Sequence, residues 1–285
     1  MIDLHTHSTA SDGSLTPAEL IHLAKKIELH AVALCDHDTT DGLEEATATA
    51  REVEQQFVPG VELSANHNSI TVHIVGLYIQ RDNPALQAAL TRTRQMRDTR
   101  NPKIITALQR LGIDITLSEV ETLAGSAAIG RPHIAQVLQQ KGVVSSTTDA
   151  FQRFLGANGR AHVPKERLNA DDAIQIIREA GGVPILAHPH QCGLRDDALD
   201  NFVGDLKELG LLGMEVFYSG YKSSRSAEYT RIARHHNLVR SGGSDFHGTN
   251  KPNIRLGRGI GNLYVRDDLL GPIQELARQP DTQPR

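Results

Sequence analysis

A chain of 285 residues with 39% hydrophobic content can bury a large core, as one barrel-sized domain or as a domain with a smaller insert. Its 22% charged residues and net charge of -4 argue against avid binding of duplex nucleic acid through a broad basic face, while leaving room for a local basic groove. Trp is absent and aromatics are only 4%, which argues against a wide base-stacking platform, and Cys35 and Cys192 form no motif, as suits a reducing compartment.

In chain order, short apolar runs alternate with helical patterns. Ile2–Leu4 reads as a strand, Pro17–Glu28 as a helix, Ala31–Cys35 as a strand and Asp41–Gln55 as a helix. The first helix has a clear start, with Thr16 as cap, Pro17 in the first turn and Glu19 at the third position. Phe57–Val61 and Ile70–Tyr78 read as strands. Between Pro84 and Val163 the patterns are helical only: Leu86–Leu111, which Pro102 is expected to kink or split, then Val120–Leu123, Ile134–Lys141 and Asp149–Leu155. Alternation resumes with the helix Asp171–Ala180, stopped by Gly181-Gly182, and the strand Val183–Ala187. The helix Ala198–Leu209, the strand Met214–Phe217, the helix Ser224–His236 and the strand Leu238–Arg240 follow. This order predicts α/β architecture with a parallel sheet or barrel, formed by residues 1–83 and 164–278, with a helical insert at 84–163 and a flexible tail at 279–285. Nothing reads as a signal sequence or a membrane span, so a cytoplasmic protein is expected.

Histidine is abundant, at 14 residues, and its positions carry the functional argument. His5-Thr6-His7 closes the first strand, and residues i and i+2 share a face, so both imidazoles can reach one ion. The next strands end in Asp36-His37-Asp38 and in Gly60-Val61-Glu62, and later ones in His188-Pro189-His190 and Ser244-Asp245-Phe246-His247. Catalytic groups in barrels and open α/β sheets gather at the C-terminal strand ends. His73 is the exception, because it lies inside its run. Taken singly, each has a plainer reading: His73 as a core histidine, Asp36 and Asp38 as caps of the following helix, His188 and Asp12 as turn residues. Taken jointly, burying so many ionisable groups costs several kcal/mol each (roughly, for desolvated ions) unless cations compensate. A cluster of metal ions supplies that compensation.

These residues resemble the polymerase-and-histidinol-phosphatase (PHP) family. The likeness is carried by Asp3-Leu4-His5-Thr6-His7-Ser8, Ser11-Asp12-Gly13, Leu34-Cys35-Asp36-His37-Asp38-Thr39, Pro59-Gly60-Val61-Glu62 and Val72-His73-Ile74-Val75-Gly76-Leu77. Ala187-His188-Pro189 and Gly243-Ser244-Asp245-Phe246-His247 complete it. The order is similar to one subgroup, the bacterial 3′,5′-nucleoside bisphosphate phosphatases and the related 5′-to-3′ exoribonuclease RNase AM. The resemblance implies a distorted (β/α)7 barrel and two or three divalent ions, manganese first, with Mg²⁺, Fe and Zn²⁺ also compatible with imidazole and carboxylate ligands. It implies that His5, His7, Glu62 and Asp245 hold one ion. Glu62 would bridge to a second, held also by His73 and His188, and Asp12, His37 and His247 would hold a third.

The resemblance also implies an enzyme acting on nucleotides or short 5′-phosphorylated RNA. Arg131 in Gly130-Arg131-Pro132-His133 would clamp a phosphate, with His133 assisting; the plainer reading is an exposed arginine at a helix start. Arg97 and Arg100 match basic positions of the subgroup, but read better as a solvated helix face. Where relatives continue His-Pro with Gly-Arg, this chain has His190-Gln191, so a phosphate-binding arginine is missing and His190 becomes a candidate general acid. A histidinol-phosphate-type phosphatase and a non-catalytic metal-stabilised module are the competing readings.

Overall fold

The computed structural model describes residues 1–125, 129–164 and 167–279; the side chain of Arg97 and the tail from 280 onward lie outside the described residues. The chain divides into two units, Met1–Ala89 with Leu168–Arg285, and Leu90–Arg167.

The first unit is built on a mixed sheet. Its strands are β1 (Ile2–Asp3), β2 (Ala31–Leu34), β3 (Gln56–His67), β4 (Ile70–Leu77), β5 (Leu168–Asn169), β6 (Val183–Leu186), β7 (Gly213–Tyr218) and β8 (Val239–Gly243). The order is β1-β2-β3-β4-β6-β7-β8, with the short β5 paired to β3. The two ends of this path nearly close on each other: Leu4 N donates to Gly242 O at 3.2 Å, and Asp245 N to His5 O at 2.9 Å. Thr6 and Phe246 form a parallel bridge there. The helix Pro17–Lys26 starts as the sequence predicts, with Thr16 and Glu19 capping each other's backbone N–H groups. Among the described residues no helix is long and apolar enough to cross a membrane.

One strand, β4, departs from the parallel order that the strand–helix alternation suggests. β3 runs on well past Val61, and His67 pairs with Ile70, leaving Asn68 and Ser69 as a two-residue turn. Both turn residues have positive φ, 47° and 67°, the backbone of a tight hairpin. β4 therefore runs antiparallel to both β3 and β6. This reversal removes the oddity of His73. The N-terminal half of a reversed strand lies at the end where its parallel neighbours have their C-termini, and His73 pairs with Ser64, two residues beyond Glu62.

Ile2, Leu4, Ala31, Ala33, Val75, Leu77, Val183 and Ile185 form one core cluster of this unit with Val265 and Ile273 from the C-terminal segment. At the seam the backbones approach so closely that a Cβ on Gly243 would lie 2.4 Å from the Cβ and 2.5 Å from the N of His5.

The second unit is helical. It holds most of the helix Pro84–Arg110, then Leu117–Ala124, Arg131–Gln140, and Thr147–Ala150 continued by one wider turn over Phe151–Leu155. Pro102 does not split the first of these. It forfeits one backbone hydrogen bond, but Ile104, Ile105 and Leu108 just beyond it are buried with Val120, Ile134 and Leu138, and that packing holds the helix. Arg100 is only 6% exposed, which corrects the expectation of a solvated arginine there.

Gly243→Ala is expected to lower the unfolding free energy by about 1–3 kcal/mol, the usual cost of forcing a methyl group into packed structure. A denaturant midpoint equal to that of the unmodified protein would show that the seam can relax.

Candidate metal centre

The residues that follow the strand ends are held by buried carboxylates. Asp3 accepts from Ser244 N at 2.8 Å, Ser244 Oγ at 2.6 Å and His5 N at 3.4 Å, tying the first strand's exit to the last. Asp36 accepts from Ser8 N at 2.8 Å and from the hydroxyls of Ser8 and Ser11 at 2.6 and 2.5 Å. It fixes the loop that carries Asp12. Asp38 Oδ1 accepts from Ser64 N at 2.9 Å. Neither Asp36 nor Asp38 caps the helix Leu43–Glu52, whose cap position is Gly42 with no side-chain bond.

On this frame the nine expected ligands, His5, His7, Asp12, His37, Glu62, His73, His188, Asp245 and His247, meet in four overlapping groups, each with ligand atoms within 4.8 Å of one another. Glu62 is central and fully buried. Its Oε1 lies 2.9 Å from both His73 Nδ1 and His188 Nε2. Its Oε2 lies 3.4 Å from the Nε2 atoms of His5 and His7, and 2.8 Å from His37 Nδ1. Asp245 Oδ1 is 3.2 Å from His7 Nε2 and 3.8 Å from His5 Nε2. Asp12 completes the rim, 3.2 Å from His247 Nε2, 3.9 Å from His7 and 4.0 Å from His37. The side chains of His37, His73 and Asp12 are 23–24% exposed, so the cluster opens to solvent on their side.

The donor set fits divalent cations. Among the described residues no hydrogen bond reaches His5 Nε2, either ring nitrogen of His7, or Glu62 Oε2, although all are buried. Buried polar atoms are nearly always paired, so these need a partner of another kind. Nitrogen and carboxylate donors without thiolate suit manganese, iron, zinc or magnesium.

Without cations, protons balance the charge. Burial alone would push His5 down, but Glu215 and Glu62 outweigh it and hold the imidazole well above its ordinary value. Burial likewise works against the charged form of His37, yet Glu62 and Asp12 raise it to about 9. His7 is held well below its ordinary value by burial and by its neighbours His247 and His37, and so stays neutral. Glu62 and Asp245 are ionised, their desolvation overcome by His37, His73 and His5 for the first, and by His7, Lys251 and His5 for the second.

Three supporting residues escaped the sequence reading. Glu215, in β7, accepts from His5 Nδ1 at 2.8 Å and from His188 N at 2.6 Å, and so orients two expected ligands. Tyr218 OH and Lys251 Nζ donate to Asp245 Oδ2 at 2.6 and 2.8 Å, leaving Oδ1 toward the cluster. A glutamate inside an apolar strand was the available signal for Glu215; the other two had none. Backbone strain also gathers here, with φ of 27° at His188 and 56° at Asp245, left-handed values that cost non-glycine residues about 1–3 kcal/mol each.

The remaining candidates sit differently. His190 is half-buried, with Nδ1 2.9 Å from Tyr221 OH and its ring 6.3 Å from that of His188. Burial, His188 and Arg225 lower its pKa. Arg131 and His133 belong to the helical unit. Arg131 Nη1 donates to Leu155 O at 3.0 Å, and His133 Nδ1 accepts from Gly130 N at 3.1 Å, capping its own helix.

Comparison with known proteins gives a consistent set. The PHP domain matches residues 3–179. A 5′-3′ exoribonuclease of Haemophilus influenzae is 38% identical over 245 residues, covering 86% of this chain and 89% of that protein. The 3′,5′-nucleoside bisphosphate phosphatase of Chromobacterium violaceum is 33% identical, over 95% of this chain and 94% of its own. A solved structure from Bifidobacterium adolescentis, of a protein assigned as a metal-dependent phosphoesterase, superposes with a TM-score of 0.85 at 31% identity, covering 96% of both chains.

Two measurements check the site. Glu215→Gln is expected to weaken divalent-cation affinity about 10–100-fold, the usual effect of losing an orienting partner; titration calorimetry giving unchanged affinity would remove Glu215 from the site. Cation binding must also displace the protons on His5 and His37, about two per chain at pH 7. The sign follows from the raised pKa values: both imidazoles favour the charged form, so apparent affinity climbs as pH rises toward the His37 value of about 9. Heats of Mn²⁺ binding that are the same in buffers of different ionisation enthalpy would contradict this.

Proposed function

The chain belongs to the PHP domain family, and from that premise we propose that it hydrolyses nucleotide phosphate esters with divalent cations held in the histidine–carboxylate cluster. The substrates proposed are a 3′,5′-nucleoside bisphosphate, losing its 3′ phosphate, and the 5′ end of short RNA, shortened one nucleotide at a time. Relatives named for each of these activities match most of the chain at similar identity, which supports keeping both. A terminal nucleotide bearing a 5′ phosphate presents the same groups as the small bisphosphate.

The observation that carries the reading is the division of labour on Glu62. One oxygen faces His73 and His188 while the other faces His5, His7 and His37. A carboxylate so placed suits two adjacent cations. His5, His7, Glu62 and Asp245 would hold one, and Glu62, His73 and His188 the other. Asp12, His37 and His247 would hold a third, and manganese is the metal proposed. When bound, such ions polarise the phosphate and acidify a water molecule for attack.

The chain's own residues set the geometry around that chemistry. Glu215 keeps the His5 ring and the His188 backbone in place. Tyr218 and Lys251 restrain Asp245. Burial raises the Tyr221 hydroxyl far above its ordinary value, so it stays protonated and can donate to His190 Nδ1. That leaves the His190 proton on Nε2. With its pKa lowered, His190 is mostly neutral at pH 7, which suits a hydrogen bond to the leaving oxygen better than a full proton transfer. Roles for Arg131 and His133 in handling phosphate rest on the resemblance alone, and Arg131→Ala tests them through KM.

The experiment is a substrate panel with Mn²⁺: nucleoside bisphosphates, 5′-phosphorylated oligoribonucleotides and histidinol phosphate. Hydrolysis of the first two is expected, releasing free phosphate and mononucleotides respectively. His188→Ala and Asp245→Ala are expected to lower kcat/KM about 10³-fold or more, since each removes several kcal/mol of charge stabilisation. Activity confined to histidinol phosphate, or surviving either substitution, would overturn the assignment.

A further inference from the structure

A groove of about 820 Å³ opens between the end of β7, the helix Ser223–His235 and residues 262–264. One face of that helix lines it from Ser223 to Arg234, about 16 Å at 1.5 Å per residue. Its charge is one-sided. Lys222, Arg231 and Arg234 line it, and none of the lining residues is acidic. Among the described residues these three cations make no ion pair. Arg231 and Arg234 are three residues apart on the helix, so their side chains lie about one turn from each other.

Tyrosines also line it. Tyr264 is 58% exposed, one of only two large hydrophobic side chains so exposed among the described residues. Tyr218 lines the groove too, while its hydroxyl donates to Asp245 at 2.6 Å. One side chain thus belongs both to the groove and to the metal centre's surroundings.

We propose that this groove binds the single-stranded RNA that extends beyond the terminal nucleotide, with Lys222, Arg231 and Arg234 on its phosphates and Tyr264 stacking on a base. The inference rests on the nucleotide phosphoesterase reading and deepens it, making an oligoribonucleotide the substrate that the fold is built to retain. Unpaired cations along a track with an exposed aromatic ring match the way proteins hold single strands, by phosphate contacts together with base stacking. An acidic protein segment could meet the same cations, but it offers Tyr264 no base to stack on.

The test uses the manganese-loaded protein and an Arg231→Gln/Arg234→Gln double variant, with Tyr264→Ser separately. All three positions are exposed, so folding is preserved. Binding is measured by fluorescence anisotropy with a 5′-phosphorylated heptaribonucleotide whose links are hydrolysis-resistant phosphorothioates. The double variant is expected to bind it about tenfold more weakly. The slope of log affinity against log salt should become shallower by about 1.4, or 0.7 per lost phosphate contact. Tyr264→Ser should weaken binding about fivefold or more, within the range of one lost stacking contact. In turnover, the ratio of kcat/KM on a five-nucleotide RNA to that on the bisphosphate should fall about tenfold in the double variant. Unchanged heptamer affinity and salt slope would overturn the groove, as would loss of affinity in the double variant with no effect of Tyr264→Ser, the outcome that acidic-protein docking predicts. Because the binding measurement involves no hydrolysis, it reads the groove even if the substrate panel fails.

Discussion

Glu62 has no exposure to solvent, and five imidazoles, those of His5, His7, His37, His73 and His188, come within 3.4 Å of its oxygens. A carboxylate taken out of water is sustained only by positive charge around it, at a penalty of several kcal/mol (roughly) when unmatched. Protons on His5 and His37 supply that charge in the bare protein; divalent ions would supply more of it and engage the buried nitrogens of His5 and His7. The remainder of the first unit serves this one requirement. Seven strands of a nearly closed sheet converge on one end, the reversed β4 brings His73 to that end, and Asp3, Asp36 and Asp38 lock the exits of β1, β2 and β3.

Much of this was legible in the chain. Strand exits rich in histidine and carboxylate pointed to His5, His7, His37, Glu62, His188, Asp245 and His247, because a strand end fixes where a side chain goes even when the partner strand is unknown; Asp12 came from the loop just past His7, and His73 from the family resemblance alone. Other features depend on contacts that no local pattern encodes. The direction of β4 hangs on Asn68-Ser69 adopting a left-handed turn, and asparagine followed by serine is a weaker hairpin signal than asparagine followed by glycine. Pro102 should break a helix by local rules, and tertiary packing overrides them. Glu215 reads as one polar residue in an apolar strand; its importance lies in what stands opposite, His5 Nδ1 from a strand more than two hundred residues earlier.

The arrangement around Asp245 shows how a neighbourhood can limit a ligand. Tyr218 and Lys251 occupy one carboxylate oxygen, and only the other faces His5 and His7. The backbone carbonyl of Asp245 is engaged as well, by His247 Nδ1 at 2.8 Å. The side chain is thereby reduced to a single directed donor, which favours a fixed coordination geometry over a sliding, bidentate one. Tyr218 extends the same control outward, into a surface where the chain carries positive charge and an exposed ring.

His188 and Asp245 adopt left-handed backbone that glycine would accept more easily. Glycine, however, would forfeit the imidazole or the carboxylate. These two positions are therefore places where stability and chemistry pull in opposite directions. Mutational drift toward a more comfortable backbone is closed to the chain for as long as the reaction is under selection. A descendant that lost the reaction would be free to relax there first, so glycine at either position would mark a sheet that has outlived its enzyme.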